Sequence, residues 1–185
     1  MKKFNFSKLF FVAALVASFV MLSGCKPAPD ETKTPIYNGI FIIGDDDKLV
    51  ATWAASEYEK YIITSETFES AGAYTGKELY VKKDSNTSGI IYVKYTKAYE
   101  FTTENKSEDP EWQATWDGSG YYRYSTTAPD VGKWYAIAYK DLTEDSISIS
   151  GAYGAKSSVD TLKEAVQEFT IDNGYFGYYS ECIKK

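Results

Sequence analysis

Ser146-Ile147-Ser148-Ile149-Ser150 puts isoleucine and serine on opposite sides of an extended chain. This period-two pattern is the mark of a strand with one buried face. It recurs. Residues 77–83 carry Leu79 and Val81 on one side, and 89–96 set Ile91, Val93 and Tyr95 against Ile90, Tyr92 and Lys94. Further short runs lie at 39–43, 48–54, 57–64, 67–70, 121–126 and 133–139. Turn-rich stretches, Gly44-Asp45-Asp46-Asp47 and Asp84 to Gly89, separate them. About eight short strands at such spacing predict an all-β fold, an antiparallel meander closing into a sandwich or barrel.

One helix is expected late in the chain. Val159, Leu162, Val166 and Phe169 recur at spacings of three and four with Ala165 beside them, and Ser157 or Ser158 is placed to cap. Lys163, Glu164, Gln167 and Glu168 cover its other side, and Asn173-Gly174 ends it or a short extension of it. An aromatic strand over 175–183 follows. Residues 96–120 form a long irregular stretch holding Trp112 and Trp116, and connections of that length are usually functional.

The beginning of the chain reads differently. Lys2, Lys3 and Lys8 precede a 14-residue apolar run, 9–22, broken only by Ser18. A transmembrane span needs about 20 apolar residues, so a basic start and short apolar core read as a secretory signal. Leu22-Ser23-Gly24-Cys25 closes it and resembles the lipobox of bacterial lipoproteins. That resemblance implies cleavage before Cys25, a diacylglyceryl group on its thiol, and often a further acyl chain, such as palmitate, on the new amino terminus. More than one chain makes a stable membrane anchor. Lys26 stands where an aspartate would favour the inner membrane, which favours the outer membrane within the cell envelope. The expected organisation is signal 1–24, lipidated cysteine and proline-bearing tether 25–36, and a β domain over 37–185.

Charge and composition narrow the function. The chain has 20 Lys+Arg and 26 Asp+Glu; the signal removes three lysines, leaving 17 − 26 = −9. Such a surface repels phosphate backbones, so nucleic acid is not an expected partner. There is no histidine, which removes Ser-His-Asp and Cys-His hydrolysis and histidine zinc sites. No catalytic constellation stands out and no cofactor is implied, so an enzyme is not expected. Asp45-Asp46-Asp47 lacks the alternating acids and glycine of an EF-hand loop and reads as a solvated turn rather than a metal site. Glu164 and Glu168 read as a solvated helix pair. Cys182, left without a partner if Cys25 is lipidated, reads as buried.

A β meander, a late helix and a final strand together resemble lipocalin-like barrels. The segments that carry the likeness are 89–95, Gly132-Lys133-Trp134-Tyr135-Ala136-Ile137-Ala138-Tyr139, and the helix-strand tail over 157–183. Lipocalins carry Gly-x-Trp near the first strand with a late arginine over the tryptophan; here the nearest match is Ala51-Thr52-Trp53, and the only arginine is Arg123. The resemblance implies a ligand-holding cavity and no catalysis. Trp53, Tyr92 and Trp134, with Ala136 and Ala138, are then candidates to line the interior around a small, partly apolar ligand, or else to fill an ordinary core. The alternative is an adhesin or interaction lipoprotein with a solid barrel. Its candidates are Trp112 and Trp116, as an outer platform for a surface protein or a glycan.

Overall fold

The computed structural model describes residues 39–185; the expected signal, Cys25 and the expected tether lie outside the described residues. Eleven strands run β1 (Ile40–Phe41), β2 (Ala51–Ala54), β3 (Lys60–Ile63), β4 (Thr67–Ser70), β5 (Thr75–Lys83), β6 (Gly89–Thr102), β7 (Gln113–Ala114), β8 (Tyr121–Ser125), β9 (Trp134–Lys140), β10 (Ser146–Gly151) and β11 (Ser180–Lys184). Helix α1 (Leu162–Glu168) lies between β10 and β11. Eight strands form a closed ring in the order β2-β3-β4-β5-β6-β9-β10-β11, with β11 pairing back to β2 and every pairing antiparallel. The fold is therefore an antiparallel eight-stranded β-barrel with one short helix, consistent with the expected lipocalin-like architecture. A closed ring leaves no edge to pair with another chain. β1 adds to the end of β5, and β7 and β8 continue from the far half of β6.

Cross-strand partners share a face, so the register fixes what points inward. Ile63↔Phe68↔Gly76↔Tyr95 runs across β3, β4, β5 and β6, and Ile91↔Ile137↔Gly151 across β6, β9 and β10. Cys182 joins the same face opposite Ile147. Apart from half-buried Gly151 at the end of β10, these positions are buried, so this face is the interior. Rings fill much of it. Tyr61, Phe68, Tyr74, Tyr95 and Tyr135 form a chain of aromatic contacts with centroids 4.9–5.9 Å apart. Gly151 leaves room for one of them: a Cβ there would lie 2.5 Å from the Tyr135 hydroxyl.

The opposite face is buried chiefly over β6, β9 and β10, where the tail of the chain covers it. There the tail's Ala165, Val166, Phe169, Tyr175 and Phe176 are buried as well. This corrects one expectation: Tyr92 pairs with Ala136, and Trp134 with Lys94, on the outer side of the wall. They are packing for the tail, not lining for a lumen.

The helix also starts later than expected. Thr161, not Ser157 or Ser158, caps it: its hydroxyl accepts from the Glu164 amide and the Glu164 carboxylate accepts from the Thr161 amide. Val159 instead exchanges two backbone hydrogen bonds with Trp134, at 2.7 and 3.0 Å, tying the tail to β9. At the other end the Asn173 amide donates to the carbonyls of Gln167 and Glu168, which satisfies groups that a helix terminus leaves open. The final strand is shorter than expected, because 175–179 packs as irregular chain before β11 begins.

Candidate functional site

β6 is the longest strand because it belongs to two sheets. Its first half is barrel wall. Beyond a register shift near Thr75/Gly76, its second half, from Ala98 to Thr102, pairs with β8, and β8 pairs with β7. The result is a three-stranded sheet outside the barrel. Tyr99-Glu100-Phe101 faces Tyr122-Arg123-Tyr124 across it, in the register Tyr99↔Tyr124, Glu100↔Arg123, Phe101↔Tyr122. Alternation therefore sorts the sheet into an aromatic face and an ionic face.

On the aromatic face Tyr99, Tyr122 and Tyr124 lie with ring centroids 5.8–6.3 Å apart, in one stacked and two edge-on contacts. The Tyr122 hydroxyl donates to Gln113 Oε1 at 2.8 Å. Tyr99 is 48% exposed and Phe101 46%. Gly120 allows Phe101 to approach the backbone: a Cβ there would sit 2.8 Å from its ring and 2.4 Å from the Thr102 carbonyl oxygen. On the ionic face Arg123 donates to Glu100 (2.9 Å) and Glu111 (2.7 Å), and its guanidinium lies 4.6 Å from the Trp112 ring centroid. Lys106 lies 5.9 Å from the same ring. Trp112 is thus occupied by two cations of its own chain.

At the base of this sheet, where it meets the barrel, the Asp130 turn closes a cleft. Asp130 accepts from Ser157 Oγ (2.7 Å) and Lys133 Nζ (3.1 Å). Burial pushes its carboxyl up, but hydrogen bonds from Ser157 and Ser158 with Lys133 beside it outweigh that and leave it below the usual carboxylate range. Asp130 is a half-buried, ionised, partly paired acceptor.

The residues singled out from sequence fall in different places. Trp53 is fully buried, and its indole N–H donates to the Leu49 carbonyl at 2.9 Å. Lys184 lies 5.9 Å from its ring centroid, so a late cation does sit by this tryptophan, as lysine rather than arginine. Tyr92 is fully buried outside the wall with its hydroxyl 3.4 Å from the Phe169 carbonyl. Trp134 packs 5.8 Å from Tyr80, under Lys94. Trp116 is 98% exposed at the turn between β7 and β8, while Trp112 is covered; the two do not form a shared platform. Cys25 lies outside the described residues. Asp47 accepts from the Leu49 amide and pairs with Lys83 at 2.7 Å, while Asp45 accepts from Ser65, so this acid run is engaged in shaping its turn. Burial, with Glu59 nearby, pushes the Cys182 thiol up to about 11, which leaves it protonated and unreactive at neutral pH.

The chain matches no family model, no curated protein and no solved structure in these three comparisons.

Proposed function

We propose that this is a lipid-anchored envelope protein whose barrel is a filled scaffold and whose outer aromatic sheet is the binding surface. The observation that carries the reading is the ring cluster of Tyr99, Phe101, Tyr122 and Tyr124 on an open sheet face. Tyrosine offers rigid area with a polar tip at low entropy cost, which suits contact surfaces. Two facts move the reading from the lumen to this surface. Tyrosines, Phe68 and aliphatic side chains occupy the barrel interior. Four cavities among the described residues lie away from the lumen's centre, beside α1, in the turn over 105–110, at the base of the sheet and beside Tyr153. The ligand-holding barrel is the second reading. Its support is the closed ring of eight, a size that holds one small ligand when space is left.

The anchor rests on Leu22-Ser23-Gly24-Cys25 and the apolar run before it. Cys25→Ser is expected to abolish incorporation of labelled palmitate and to leave the uncleaved precursor in the membrane fraction. Undiminished labelling sinks the assignment.

For the surface, the purified protein is applied to envelopes from cells that lack it. The triple change Tyr99→Ala, Tyr122→Ala, Tyr124→Ala is expected to lower retention at least tenfold, since central aromatic anchors each contribute about 2 kcal/mol or more. Circular dichroism should keep its barrel signal. Retention equal to that of the unchanged protein refutes the reading.

A further inference from the structure

The cleft at the base of the aromatic sheet has a volume of about 250 Å³. Tyr99, Phe101 and Pro129 give it flat apolar walls, and Glu100, Asp130 and Ser157 give it polar ones; Tyr95 reaches it from the barrel. Both acids already hold a cation: Arg123 on Glu100 and Lys133 on Asp130. The cleft therefore carries little net charge, although the mature chain carries −9. A cationic ligand finds its counter-charges taken. An anionic ligand meets the acidic surface. What remains open is acceptor capacity on ionised carboxylates, which make the stronger hydrogen bonds to hydroxyl donors.

Exposed rings beside charge-paired acceptors match one chemistry well: a pyranose, whose axial C–H groups form an apolar face and whose rim is hydroxyl. The outer face of the sheet continues the same materials: it shows Tyr99, Phe101, Tyr122, Tyr124 and Gln113, rings and polar tips with no aliphatic side chain. We infer that this cleft is a saccharide subsite, seating one ring of a neutral glycan on Tyr99 and Phe101 with its hydroxyls donating to Asp130, while the chain continues over Tyr122 and Tyr124. The inference rests on the reading of the sheet as the binding surface and names its ligand.

The intact protein, solubilised in detergent, is run in affinity gels containing dextran, a soluble β-1,3-glucan or a mannan, with alginate as a polyanionic control. Any retarding glycan is then titrated by calorimetry. At least one neutral glycan is expected to bind and alginate is not. Phe101→Ala and the isosteric Asp130→Asn should each weaken binding at least tenfold, and Trp116→Ala should leave it unchanged. The inference is overturned if no neutral glycan binds, or if binding survives both Phe101→Ala and Asp130→Asn. If glycans fail while the triple tyrosine variant still loses retention on envelopes, the sheet is a binding surface for a protein and only the saccharide assignment falls. If envelope retention is also indifferent to those tyrosines, the surface reading falls with it.

Discussion

Raised above pH 10, this protein is expected to unfold in one cooperative step between about pH 11 and 12, with its buried tyrosines ionising in that same step. The cause is the interior. Tyr61, Tyr92, Tyr95, Tyr135 and Tyr139 are buried, and burial pushes each phenol well above its ordinary value. Nearby groups add to it: Glu59 beside Tyr61, Asp84 towards Tyr92, Tyr135 and Asp130 towards Tyr95, and Asp47 and Asp84 towards Tyr139. In the unfolded chain a tyrosine titrates near 10. Below that pH both states hold the proton and the stability is fully present. Above it the unfolded chain releases protons that the folded chain keeps, so stability falls with rising pH, by about 1.4 kcal/mol per unit for each such group. Five of them together lose roughly 7 kcal/mol per unit, against a typical total of about 5–15 kcal/mol. The check is a titration that follows tyrosinate absorbance and far-ultraviolet circular dichroism together. Coincident, steep transitions are expected. Ionisation of all the tyrosines, the five buried ones included, with the strand signal intact would mean that these phenols are hydrated, and the packed interior would have to be abandoned.

How far the sequence discloses this structure depends on how many faces of an element are buried. A strand with one buried face, such as 77–83, is legible from alternation, and so is the meander; 146–150 is legible as a strand, but its serine side, expected to face solvent, is covered, with Ser148 and Ser150 both buried. β6 and β9 are not. Gly89-Ile90-Ile91-Tyr92-Val93 and Trp134-Tyr135-Ala136-Ile137-Ala138 are apolar on both sides, the pattern of a strand buried on both faces. Such a run cannot say which side is lumen, and so Tyr92, Trp134, Ala136 and Ala138 are assigned inward when they lie under the tail. The deciding fact is a tertiary one: Val159 pairs with Trp134 and brings the helix across. The start of the helix was readable, since the Thr161-x-x-Glu164 capping box is local; Val159 obscures it by extending the apolar stripe. The aromatic sheet was readable too. Tyr-Glu-Phe at 99–101 and Tyr-Arg-Tyr at 122–124 alternate rings with opposite charges, but their value comes from being paired across 23 residues, as Glu100 and Arg123 show. The tryptophans of the same stretch are more conspicuous and less informative, because one is covered by Arg123 and the other stands alone.

Trp53→Ala is expected to destabilise the protein by about 3–5 kcal/mol, lowering the melting temperature by roughly 10–20 °C for a chain of this size. The residue has no exposed surface, and its neighbours in register, Tyr61 on β3 and Lys184 on β11, are held by closed-ring pairing and cannot collapse into the gap. The change also strips the Leu49 carbonyl of its donor, and a buried acceptor left unpaired adds to the cost. Trp53→Phe separates the two terms: it retains most of the ring and loses only the N–H, so the smaller part of the destabilisation is expected there. β2 lies four strands from β6 in either direction round the ring. The aromatic sheet that hangs from β6 is therefore as far from Trp53 as the barrel allows. Because the ring has no free edge at which unfolding can stop, the loss at β2 must reach β6, and near-ultraviolet signals from the outer tyrosines should melt together with the strand signal at the lowered temperature. Two separate transitions, with the outer sheet melting at its original temperature, would mean that the sheet is stable without the barrel and that the ring does not act as its scaffold.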